Sequence, residues 1–346
     1  MSRRRALSAA PAEPSGHVLA LCGGIGGAKL ALGLYRVLPP HGLTIIVNTG
    51  DDFEHLGLHV SPDLDTVLYT LAGWSDPARG WGRADETWHF MEALEALGGP
   101  SWFRLGDRDL AMHVIRTRWL RHGETLSAVA RHVGRRMGID AQVLPMSDDP
   151  VRTIVDTTDG ALAFQTYFVG RRCEPATIGV RFVGSERARP SPGLLAALAR
   201  PDLAVIVICP SNPYLSIDPL LSIPGIRTAL AATPAPVIAV SPLIGGKAVK
   251  GPTAKIMAEL GIAATAEAIA AHYRDLLDGL VIDESDAAEA ARLHLPTAVR
   301  PTLMRDLADR ERLARDVLAF AGRIAADRAT APGANRRARH AGGATR

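Results

Sequence analysis

Four aspartates fall within one stretch, VNTGDDFEHLGLHVSPDLDT (47–66). Asp51 and Asp52 follow an apolar run at once, Asp63 and Asp65 come one loop later, and Glu54 lies between the pairs. Carboxylates at this density repel one another, so a cation must offset them or water must surround them. A hard divalent cation such as Mg²⁺ prefers carboxylate oxygens and takes one or two of them together with substrate phosphates. The spacing therefore suggests acids balanced by a metal that also touches phosphate. Two other readings stay open. Asp51, 22 residues after Lys29, could be the ribose acid of an NAD site. Ser61 and Asp63 could cap a helix, which explains one acid but not four.

The stretch CGGIGGAK (22–29) offers the complementary group. Gly23, Gly24, Gly26 and Gly27 would let backbone N–H groups approach a phosphate, and Lys29 adds charge at a helix start. The pattern departs from the dinucleotide fingerprint and from the P-loop alike, and a tight turn needing glycine for packing is the plainer alternative. In CPSNPYLS (209–216), Ser211 and Asn212 supply short donors and acceptors for a base or ribose, with Pro213 stiffening the turn. In SPLIGGKAVKGP (241–252), Gly245, Gly246, Lys247 and Lys250 make another loop suited to an anion. Arg104, Asp107 and Arg108 flank Gly106, where an arginine fork would suit phosphate or carboxylate and an ion-paired helix cap would serve as well. Asp148, Asp149 and Arg152 read as a solvated turn, and His113 as packing.

The elements that must position these groups alternate. HVLALC (17–22), LTIIVN (43–48), LAVIVI (203–208), PVIAV (236–240) and LVI (280–282) read as buried strands, most of them running into Ser/Pro/Gly/Asn-rich loops. AKLALGLYRVL (28–38) has helical spacing and stops before Pro39-Pro40. Helices are expected from Asp65, over 86–97 and across 109–137, and a β-hairpin over 152–157 and 161–169 about Asp159-Gly160. The fold class is α/β: a Rossmann-like parallel sheet flanked by helices, with a helix-rich cap and a β-hairpin insertion. Ligands of such sheets bind outside the carboxyl ends of the strands. The expected organisation is a disordered leader over 1–16, a single domain over 17–325 and a disordered basic tail over 326–346. Within the domain, core segments span about 17–70 and 200–285 and a cap about 71–200.

At 346 residues and 47% hydrophobic, the chain can bury a large core. The formal charge of +3 misleads: residues 1–16 carry net +2 and residues 331–346 net +4, leaving the body at −3. That removes the electrostatic basis for nucleic-acid binding. No run reaches the roughly 18 apolar residues of a membrane helix. The three cysteines, far apart, show no metal spacing, and together with the lack of an export signal they suggest a cytoplasmic protein.

The motifs GGIGGAK, VNTGDD, SPDLDT, GWGRADETWH, LGDRDLA, MSDDPVRT, PSNP and SPLIGGKAVKGP occur in this order. Taken together they resemble the 2-phospho-L-lactate transferases of coenzyme F420 biosynthesis, over about 17–325, and GWGRADETWH looks most like the bacterial phosphoenolpyruvate transferase branch. The resemblance implies an Mg²⁺-dependent homodimer. It would move a phospho-lactyl or phospho-enolpyruvyl group from a guanosine diphosphate ester to the deazaflavin alcohol Fo, releasing GMP. It also implies that Asp65 and Arg104 contact Fo, many members having lysine at the latter position, and that the glycine loop and PSNP hold the guanosine diphosphate part. Phosphoryl transfer asks for positioning and charge neutralisation. Mg²⁺ on Asp51, Asp52 or Asp65 would draw charge from the diphosphate, and Asp65 could orient the Fo hydroxyl as a base. The alternative is a nucleotide-sugar or NAD-binding regulator sharing the glycine loop, and a weaker one is a Rossmann oxidoreductase; SPDLDT with LGDRD favours the transferase.

Overall fold

A computed structural model describes residues 16–76, 79, 81–249 and 251–330; the leader expected over 1–16 lies outside it except for Gly16, as do Lys250 and the tail beyond 330. The chain begins with β1 (His17–Cys22), α1 (Gly24–Val37) and β2 (Leu43–Val47). A short hairpin, β3 (Phe53–His55) and β4 (Leu58–Val60), leads into α2 (Pro62–Ala72), which Gly73 ends in the left-handed conformation at φ 72°. Helices α3 (His89–Ala96), α4 (Asp107–Arg121) and α5 (Leu126–Arg136) follow, then β5 (Gln142–Pro145). Strands β6 (Arg152–Thr157), β7 (Gly160–Ala163) and β8 (Thr177–Val183) form a separate antiparallel sheet. The second half supplies β9 (Leu203–Ile208), β10 (Val237–Val240), the ribbon β11 (Leu243–Ile244) and β12 (Lys247–Ala248), β13 (Gly279–Ile282), β14 (Thr297–Val299) and a last helix, Leu307–Thr330.

Seven strands make one parallel sheet in the order β14-β13-β10-β9-β1-β2-β5. Both faces are covered, so the strands read as unbroken apolar runs rather than alternating ones. On β1, Val18, Ala20 and Cys22 enter the core beneath α1, α2 and the last helix, while Leu19 and Leu21 enter the opposite core. From β1 the chain moves outward through β2 to β5, then returns beside β1 and moves the other way through β9, β10, β13 and β14. The reversal lies between β1 and β9, which is where open α/β sheets bind ligands.

Several elements differ from the sequence expectation. Helix α1 begins at Gly24, so the glycines form its first turn. The 109–137 segment is two helices, broken at Gly123 (φ 88°), with Thr125 Oγ1 accepting from Ala128 N–H to start α5. The helix expected over 86–97 is shorter, because Glu86 takes the N–H groups of Arg108 and Asp109 at the start of α4 (both 2.8 Å). Asp107 reciprocates, accepting from Phe90 N–H (3.0 Å) and His89 N–H (3.1 Å) at the start of α3. GWGRADETWH and LGDRD thus cap each other's helices. The hairpin's second strand ends at Ala163, and a π-helical turn spans Thr166–Gly170. Strands β5 and β14 extend the sheet beyond the expected core segments, and the last helix runs past 325 to Thr330.

Candidate active site

A cavity of about 560 Å³ opens at the carboxyl ends of the strands, over the β1/β9 reversal. Gly23, Gly24 and Gly26 line it from the start of α1, Asn48 and Asp51 from the loop after β2, and Ser211 and Asn212 from the loop after β9. Glycine is required here by close approach. A Cβ on Gly26 would lie 2.5 Å from the Pro210 carbonyl oxygen, and one on Gly23 would lie 2.6 Å from Asp63 Oδ2. The packing reading of the loop is therefore correct at these positions, and it brings the N-terminus of α1 to the cavity wall.

The four aspartates divide. Asp63 Oδ1 accepts from Gly24 N–H (2.7 Å) and its Oδ2 from Asn48 Nδ2 (2.9 Å). The same Asn48 amide nitrogen donates to Asp51 Oδ1 (3.2 Å), and Gln165 Nε2 donates to Asp51 Oδ2 (3.4 Å). Asp51 and Asp63 both line the cavity. Burial, then repulsion from Asp63 and Asp52, pushes the Asp51 carboxyl well above its usual range. Burial likewise raises Asp63 to about 6, against the hydrogen bonds from Asn48 and Gly24. Asp52 and Asp65 turn away. Asp52 Oδ2 accepts from Ser61 Oγ (2.7 Å) and lies 3.1 Å from His59 Nε2. Asp65 is gripped by both terminal nitrogens of the buried Arg116, with His113 and Asp109 beside it. The structure thus does not bring Asp52 or Asp65 to the cavity wall, because each carboxylate is committed to partners behind the loop.

The donors divide in the same way. Lys29 lines the cavity from the second turn of α1, and its Nζ donates to the Met304 carbonyl (2.9 Å). Gly27 packs against Ser211 and Cys22 and stays off the wall. Ser211 Oγ donates to Gly23 O (2.8 Å) and accepts from Gly23 N–H (3.1 Å). Asn212 Oδ1 caps a π-helical turn, Pro213–Ile217, whereas its buried Nδ2 has no protein partner. Pro213 is buried beneath the wall as the turn's first residue. Gly245, Gly246 and Lys247 do not line the cavity. The amides of Gly245 and Gly246 are spent on the Asp286 carboxylate (3.1 and 3.2 Å), and Lys247 is exposed. Arg104 does line it, its guanidinium stacked 4.4 Å over the Trp88 ring.

Sequence reading passed over Asn48, Gln165 and the wall residues Trp81, Phe103, Phe164 and Phe168. Asn48 was visible as the first polar side chain past an apolar strand. Gln165 was hidden inside an apparent strand. Asp148 and Asp149, set aside as a turn, accept from Ser127 N–H and pair with Arg189.

The 2-phospho-L-lactate transferase CofD family model matches residues 18–319. The chain is 44% identical over 320 residues to a phosphoenolpyruvate transferase of Kitasatospora aureofaciens, covering 89% of this chain and 98% of that one. It is 43% identical to a phosphoenolpyruvate transferase of Streptomyces coelicolor (89% and 99% covered) and 40% identical to one of a Mycobacterium species (88% and 98%). Among solved structures, a UPF0052 family protein of Bacillus halodurans superposes with a TM-score of 0.59 at 17% identity, over 88% of this chain and 98% of that one. That likeness shows the fold alone.

Proposed function

The chain belongs to the 2-phospho-L-lactate transferase family of coenzyme F420 biosynthesis, and from this premise we propose that it transfers a phospho-enolpyruvyl group from a guanosine diphosphate ester to Fo. Its relatives' activity favours enolpyruvate over lactate or glycerate as the three-carbon unit. The Fo hydroxyl oxygen attacks the phosphorus that carries the three-carbon acid, the bond from that phosphorus to GMP breaks, and GMP leaves.

The observation that carries this reading is the pair Asp51 and Asp63. Both are buried beside the N-terminus of α1, and among the described residues no lysine or arginine forms an ion pair with either. A hard divalent cation fits such a donor set, and Asp51 and Asp63 would hold it. When bound, it would neutralise diphosphate charge. Gly24 N–H is committed to Asp63, so the first-turn amides that follow it would meet the diphosphate, and the helix end would favour the leaving phosphate's charge. Asn212 Nδ2, buried without a hydrogen-bond partner, would donate to the nucleotide. Asp51, oriented by Asn48 and Gln165, is the carboxylate assigned to the acceptor hydroxyl's proton. No helix among the described residues is long and apolar enough to cross a membrane.

The test is mass spectrometry of the product from enzyme, Mg²⁺, Fo and each candidate donor. The expected product is the dehydro form, lighter than the lactyl product by the hydrogens of the double bond. Formation of the lactyl product alone overturns the donor assignment, and no product from any donor overturns the reading.

A further inference from the structure

Two of the three cysteines lie beneath the cavity, and the transfer chemistry uses neither. Cys22 ends β1, and Cys209 follows β9 directly. In the parallel pairing of these strands Leu21 stands opposite Ile208, so Cys22 and Cys209 are the next pair along, and Cys209 N–H donates to the Leu21 carbonyl (3.0 Å). Both side chains enter the same core, with Val18, Ala20, Val205 and Val207, and both are buried and unbridged. The two thiols share a hydrogen bond. Neighbouring strands lie about 4.8 Å apart, within the roughly 4.4–6.8 Å of Cα separation that a disulfide spans. A bridge here asks for rotation of two side chains and no movement of the sheet. Its position gives it leverage. Gly23 and Pro210, the residues that follow the two cysteines, line the cavity. Cys22 Sγ packs under the first turn of α1, where a Cβ on Gly27 would lie 2.9 Å from it. Two residues past Cys209, Ser211 Oγ both donates to and accepts from the Gly23 backbone (2.8 and 3.1 Å).

We propose that Cys22 and Cys209 are an oxidation site: hydrogen peroxide entering through the cavity joins them in a disulfide, and the bridge lowers turnover by displacing the start of α1 and the Ser211 loop. One thiolate attacks a peroxide oxygen, giving a sulfenic acid and water. The second sulfur then attacks the first, a further water leaves, and the S–S bond closes. Two thiols thus lose two electrons and two protons, and one hydrogen peroxide becomes two waters. The hydrogen bond to Cys209, together with burial, holds the Cys22 thiol well above its usual range. Thiolate is scarce and the reaction is slow, so the pair answers to sustained oxidant and not to a brief pulse. Burial also closes both sulfurs to a bulky disulfide such as oxidised glutathione. The loss of turnover rests on the transfer reading above; the cross-link itself does not.

The test treats wild type, Cys22→Ala, Cys209→Ala and Cys173→Ser with hydrogen peroxide and assays each before and after dithiothreitol. Free thiols are then blocked, and unreduced digests are searched by mass spectrometry for the two peptides joined through Cys22 and Cys209, lighter by two hydrogens than the separate peptides together. The joined pair should appear in wild type and Cys173→Ser and in neither alanine variant. Where it forms, turnover should fall by about 10- to 100-fold, the scale of an ångström-sized displacement at a reacting site, and should return on reduction. The alanine variants should keep their turnover in peroxide, and their melting temperatures verify that they fold. No joined peptide in treated wild type overturns the proposal. So does a bridge that leaves turnover unchanged, and so does an equal loss in Cys22→Ala, which would put the damage elsewhere, as on Met304 at the wall. The peptide is read without turnover. A wild type that transfers nothing would refute the transferase reading, and the joined peptide alone would then decide the oxidation site.

Discussion

Two buried acidic regions lie on opposite sides of the start of α2. On the cavity side, Asp51 and Asp63 share one asparagine amide nitrogen. In the seam between α2 and α4, Asp65 and Asp109 meet Arg116, His113 and the Tyr69 hydroxyl, which donates to Asp109 Oδ1 (2.6 Å). Asp65, Asp109 and His113 are close enough together to hold a metal ion. The guanidinium already supplies that charge. The seam is electrostatically complete, and the cavity floor is not. Two acids only two residues apart can thus have unrelated roles, decided by whether the fold delivers a cation to each.

The comparison breaks first at Asp63. Asp63→Asn should lower turnover by about 10²–10⁴-fold, the range for losing an acid–base or metal-holding group, with an unchanged or raised melting temperature because a repelling charge has gone. A variant that loses stability and keeps its turnover would move Asp63 to the structural side. Arg116→Met should do the reverse. Stranding Asp65 in the seam costs about 3–5 kcal/mol, read as a lower midpoint in urea, and the protein that remains folded should turn over normally. Asp65→Asn should resemble this variant; if it matches Asp63→Asn instead, with stability kept, the division fails.

The pH dependence sharpens the contrast. The folded pKa of Asp63, about 6, lies above the unfolded value near 3.9. Its contribution to stability is therefore full below about pH 4 and is lost as pH rises through about 6. Melting curves recorded without divalent ions should show this decline, and Asp63→Asn should flatten it. Mg²⁺ at about 100 times its Kd should restore roughly 2–3 kcal/mol above pH 7 and far less at pH 5; equal stabilisation at both pH values would argue against Asp63 as a ligand. The smallest effect belongs to Lys247→Ala, at under about 0.5 kcal/mol in nucleotide affinity, checked by titration with GDP.

The sheet was legible because its strands are covered on both faces, which makes LAVIVI or LTIIV hard to mistake. β14 was not, since Thr297–Val299 is a short edge strand held by pairing to β13. The acid loop was legible as a site but not as a division of labour. Spacing puts Asp63 and Asp65 in one helical turn and cannot reveal that Arg116, 51 residues beyond Asp65, reaches only the second. The same limit hid the loop after β10. Gly245-Gly246 looks anion-binding, and its anion is Asp286, a residue of this chain.

The contact between α1 and the last helix has a consequence for synthesis. Gly33 admits the Arg310 carbonyl so closely that a Cβ there would lie 2.1 Å from it, and Lys29 reaches Met304 in the strand-to-helix link just before. The helix that presents its amides to the cavity is thus covered by residues made nearly 300 positions later. On the ribosome, α1 waits with an apolar face uncovered until the final helix emerges. Pairing at such sequence separation is slow, so the sheet's first helix cannot complete its cover until the end of the chain has been made.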